Sequence, residues 1–137
     1  MIEEQLQALT ALGDAPEPSA VADVLRASFE LESGTRYFDI FAAAPVAGPF
    51  ERAELRRQKA GANRLLILTP LAELPVLRED LDLSPFGELR SLDINPRIPP
   101  SGTKTEVYAL GGAKVSFQFH AASEALRLAV VEWGGNG

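Results

Sequence analysis

Cysteine is absent from this chain of 137 residues, and histidine occurs once, as His120. Without cysteine there is no disulfide, zinc ribbon, thiol nucleophile or iron–sulfur cluster. A single imidazole excludes two-histidine metal sites and leaves any catalytic triad one possible histidine base. Basic residues are in the minority: 13 Lys plus Arg stand against 19 Asp plus Glu, a net charge of -6. Such a chain lacks the basic face that nucleic-acid phosphates require. Long apolar runs are missing too. The longest run of large aliphatic residues, Leu65 to Leu68, is far short of the ~20 residues of a membrane span. The segment Met1 to Thr10 is acidic where a secretory signal is basic, and no signal-like apolar region follows it. The expectation is a cytoplasmic protein with no cofactor and with neither nucleic acid nor membrane as a partner.

What is present suffices for a core. At 46% apolar residues the chain is too hydrophobic to be disordered. Its length fits one domain, with a radius of gyration of about 14 Å. Ile2, Leu6 and Leu9 recur at helical spacing over residues 2–12, with Glu3 and Glu4 in the first turn and Gly13 as a stop. Pro16 and Pro18 interrupt. Ser19 then offers an N-cap for a second helix through about Ser28, with Val21, Val24, Leu25 and Phe29 inward. Residues 1–30 thus form a helical part.

From residue 35 to 133 the period is two. Strand composition marks 35–43, 63–69, 89–95, 104–110, 113–120 and 125–133, followed by a glycine-rich tail at 134–137. Residues 51–60 have helical propensity but no helical stripe, and a turn at Ala60-Gly61-Ala62 favours a hairpin with 63–69. Asn63–Thr69 reads as a strand buried on both faces, and 125–133 as one interior to the sheet. The segment 95–102, with adjacent prolines, reads as an extended connection. The fold class is α+β: two N-terminal helices on a mainly antiparallel, meander-like sheet of about six to seven strands.

Register around Gly111-Gly112 carries an electrostatic argument. A two-residue loop sets Glu106 opposite Phe117 on the core face, and burying an unpaired carboxylate costs several kcal/mol. A three-residue loop pairs Val107 with Phe117 and turns Glu106 to solvent. A one-residue slip inverts the whole face, so the three-residue loop is expected.

No assembled reactive centre emerges. Ser116 and Ser123 flank His120 in sequence, but Ser116 is about 13 Å back along the same strand at ~3.3 Å per residue. Neither serine sits in a nucleophile elbow. Gly111 to Lys114 lacks phosphate-loop spacing, and Pro96 to Pro99 is only a minimal P-x-x-P. Arg78-Glu-Asp-Leu-Asp82 concentrates charge in a polar loop at 78–88, without the spacing of a calcium loop. By charge, Glu79, Asp80, Asp82 and Glu88 are the candidate partner-binding residues, with Phe86 as their aromatic anchor.

The expected function is a small acidic inhibitor that binds another protein, most specifically a bacterial immunity protein neutralising a basic toxin domain. Two alternatives stand beside it. One is a small-molecule-binding or lyase-like pocket drawing on Tyr37, Asp39, Asp93, Tyr108 and His120. The other is a chaperone or adaptor of a secreted effector, dimerising through an apolar face.

Overall fold

Ile2, Leu6 and Leu9 are all buried on one side of α1, Ile2–Thr10. Pro18 opens α2, Pro18–Leu25, where its missing N–H leaves no bond unmade, and Val21 and Leu25 face inward. Glu17, not Ser19, therefore holds the cap position. The computed structural model describes residues 2–44, 46, 48–99 and 101–134. The tail expected over 134–137 lies outside them except for Gly134.

Eight strands follow: β1 (Glu30–Gly34), β2 (Phe38–Ala43), β3 (Phe50–Gln58), β4 (Arg64–Pro70), β5 (Ser91–Asn95), β6 (Thr103–Leu110), β7 (Ala113–His120) and β8 (Leu126–Trp133). They form one antiparallel sheet in the order β1-β2-β3-β4-β8-β7-β6-β5. Two four-stranded meanders thus meet where β4 pairs with β8. The strand beyond the expected six to seven is β1. Its sequence Glu-Leu-Glu-Ser-Gly is exposed throughout, so it has no buried face to announce it.

Residues 51–60 do form the hairpin strand. Leu55 pairs with Leu66 and Arg56 with Leu65, so sheet packing outweighs helical propensity. β8 is interior, as expected, and Trp133 Nε1 donates to the Leu9 carbonyl at 3.2 Å, fixing α1 across the strand end. β4 departs from expectation. Leu66 and Leu68 are buried while Leu65 and Ile67 are half-buried, because the roof covers one face of the sheet only. The connection 95–102 also differs. Arg97 N–H donates to Asn95 Oδ1 and Gly102 N–H to the Ile98 carbonyl, so it curls into turns rather than running extended.

The β6–β7 register reverses the sequence argument. Leu110 pairs with Ala113, Tyr108 with Val115 and Glu106 with Phe117. The loop has two residues, and Gly111 takes φ +61°, as the first central residue of a tight hairpin turn requires. Glu106 and Tyr108 therefore share the covered face with Phe117, while Val107 and Ala109 face away. The expected penalty is avoided because the carboxylate is not unpaired.

Candidate functional site: the acidic loop and its anchor

The topology itself demands a long connection after β4. That strand ends mid-sheet, whereas β5 lies at the far edge, four strand positions away, or about 19 Å at ~4.8 Å per strand. Residues 71–90 make this crossing and roof a part of the covered face that the helices leave open. Leu81, Leu83 and Phe86 are buried beneath the loop. The loop is therefore partly core, which the reading of 78–88 as a polar loop missed.

Phe86 is fully enclosed. Its ring lies 5.5 Å from Phe117 and 6.2 Å from Tyr108, in edge-on and tilted geometry. Contrary to expectation, it cannot meet a partner as an exposed anchor, because its side chain is wholly buried. A lone aromatic within a charged run carries the same signal whether it faces outward or plugs a core.

Arg78 supplies the second attachment. Its Nε donates to Glu106 Oε2 at 2.8 Å, and the Tyr108 hydroxyl donates to Glu106 Oε1 at 2.7 Å. Both carboxylate oxygens are thereby engaged, which is why Glu106 tolerates the core face. The Glu106 hydrogen bond raises the Arg78 pKa against the opposing effect of burial, so the guanidinium stays charged. Burial, aided by Glu106, pushes the Tyr108 phenol up to about 12.

The sign of that shift sets a test. An unfolded phenol ionises near 10.0, so the stabilisation from the protonated native phenol is complete below that pH. It is lost as pH rises through about 12. In a Tyr37→Phe background, phenolate absorbance from the folded protein is expected only near that upper value. Ionisation of the native protein at the ordinary tyrosine pH would contradict the bonded geometry.

Backbone ties complete the anchor. Arg78 N–H donates to the Glu124 carbonyl at 2.9 Å and Leu126 N–H to the Val76 carbonyl at 2.7 Å, alongside a bridge between Leu77 and Ala125. Asp80 accepts the Leu77 N–H at 3.0 Å. Asp82 accepts the hydroxyl and N–H of Ser84, which hold its carboxyl below the usual range. Its own N–H donates to Glu3 Oε2 at 2.9 Å. Burial works to raise the Glu3 carboxyl, yet this bond and its other partners leave it lowered. Glu79 and Glu88 are exposed, and among the described residues neither makes a hydrogen bond or ion pair.

The residues considered for a pocket do not converge. Asp39 on β2 is paired with Arg57 at 3.1 Å. Asp93 on β5 lies six strand positions away, about 29 Å at ~4.8 Å per strand. Tyr37 is 63% exposed, Tyr108 is engaged with Glu106, and His120 lies on the uncovered face. His120 Nδ1 and Thr103 Oγ1, on cross-strand partners, are buried without a hydrogen bond. A hollow of about 240 Å³ on the uncovered face is lined by Phe38, Ile40 and Leu65 with Arg56 and Glu132, and by none of those five residues. Among the described residues, no cluster of three or more His, Asp or Glu is placed to hold a metal ion.

The architecture is that of an α+β protein with helices and a long loop roofing one face of an eight-stranded antiparallel sheet. No known protein family, curated protein or solved structure matches the chain. Among the described residues, no helix is long and apolar enough to cross a membrane.

Proposed function

We propose that the protein inhibits another protein by binding it, most specifically as an immunity protein that covers a basic toxin domain. The observation that carries this reading is the fixed presentation of the acidic loop. Leu81, Leu83 and Phe86 point into the core while Glu79, Asp80, Asp82 and Glu88 remain exposed. Arg78, the cation within the run, is engaged with Glu106. A negative surface of this kind attracts a basic partner over distance and speeds encounter. Because the loop is already anchored, little ordering entropy remains to be lost on binding.

The partner is to be recovered as a stoichiometric complex with the tagged protein in its native cell. Glu79→Lys and Glu88→Lys then read charge alone, since neither carboxylate has a partner among the described residues. Together they are expected to slow association by about tenfold or more at low salt and to flatten its salt dependence. Unchanged association at low salt would place the interface elsewhere.

A further inference from the structure

A groove runs beside the acidic loop, between α1 and residues 71–81. Its volume is about 330 Å³, roughly twice the ~150 Å³ of a cavity that accepts benzene. Ile2 and Leu81 are buried at its base, Leu71 and Val76 are half-buried along it, and Leu74 is 65% exposed at its lip. Its charged lining groups are carboxylates, Glu3 and Asp80, and no Lys or Arg lines it among the described residues. Glu79 and Asp82 flank Asp80 in the chain.

We propose that this groove receives a basic, apolar-anchored segment of the partner protein: a leucine or phenylalanine side chain flanked by Lys or Arg. The inference rests on the inhibitor reading and names what its partner presents. Two features fix the occupant. The apolar walls accept a large hydrocarbon side chain, whose burial contributes the bulk of affinity at such sites. Asp80 on the rim, with Glu79 and Asp82 exposed beside it in the chain, carries negative charge, so acidic or neutral flanks gain nothing there and cationic flanks do. The anchor that the sequence suggested in Phe86 is thus supplied from the other side of the interface.

Short fluorescent peptides of equal length test this on the intact chain. One carries Phe-Leu between lysines, a second Ser-Ser between lysines, and a third Phe-Leu between glutamates. The first is expected to bind about tenfold or more tighter than either control. Leu74→Ser, a change at an exposed position that leaves the fold intact, is expected to erase most of its advantage over the Ser-Ser peptide. Leu74→Cys creates the chain's sole thiol, and an environment-sensitive dye attached there is expected to shift to the blue with the first peptide only.

Equal binding of the first two peptides, or no binding of either, overturns the groove proposal, as does a dye that does not respond. The natural complex separates the two levels of inference. If Glu79→Lys with Glu88→Lys weakens it while Leu74→Ser does not, the acidic-surface reading stands and the groove is rejected. If neither change matters, both fall.

Discussion

Phe86→Ala is expected to destabilise the protein by about 3–5 kcal/mol, the range for removing a fully buried phenyl ring. The ring is 0% exposed and contacts both Tyr108 and Phe117, so its loss leaves a cavity that two rigid strands cannot close. The effect is expected to be regional as well as global. Between Phe86 and the Arg78–Glu106 pair the loop has two side-chain attachments to β6 and β7. Losing one is expected to raise amide exchange across 78–88 well before the sheet opens. Urea unfolding gives the global value, and exchange resolved by residue gives the regional one. Glu79→Ala on the same loop is the control, expected to stay within about 0.5 kcal/mol of the native protein. A Phe86→Ala protein as stable as that control would mean that the loop is not part of the core.

Trp133→Ala is expected to cost a similar amount, about 3–5 kcal/mol, for a different reason. The indole is 0% exposed and joins layers: its ring lies under α1, and its N–H is the donor to the Leu9 carbonyl. Trp133→Phe retains much of the packing and removes one of two donors to that carbonyl, which still accepts the Leu12 N–H at 3.2 Å. It is expected to lose about 1 kcal/mol for the hydrogen bond, less than the alanine variant. Denaturant midpoints of the two variants, followed by far-ultraviolet circular dichroism, order these costs. Because the chain has one tryptophan, native fluorescence reports this junction alone, and its emission is expected to shift to the red when α1 detaches.

Both residues show where pattern reading succeeds and where it stops. Trp133 was legible. It falls in register with Ala129 and Val131 on a strand apolar along both sides, which marks an interior strand. The hairpin at 51–69 was legible through the absence of a helical stripe, despite favourable propensities. β1 was not, because Glu30–Gly34 holds a single large apolar residue, Leu31, and so no alternation, whereas the equally exposed edge strand β5 alternates Leu92 and Ile94. The β6–β7 register failed for a non-local reason. Glu106 is not an unpaired carboxylate, because Arg78, 28 residues earlier in the chain, donates to it, and no spacing rule connects the two. Phe86 failed likewise. Leu81, Leu83 and Phe86 together hint at a loop with an inner side, yet only the crossing from β4 to β5 explains why one is needed. Of the acidic residues chosen by charge, Asp80 and Asp82 also brace the loop's own turns, while Glu79 and Glu88 are exposed and have no side-chain partner among the described residues.

The joining of the two meanders has a kinetic consequence. Of the seven strand pairings, six link neighbours in sequence, and β4 with β8 is the exception. The six can zip up as successive hairpins with little chain to immobilise, whereas the central seam must first draw together segments separated by half the molecule. Assembly therefore has a natural bottleneck at that seam, and Leu66 and Leu68 facing Val131 and Ala129 are the side chains whose meeting commits the chain to its native state.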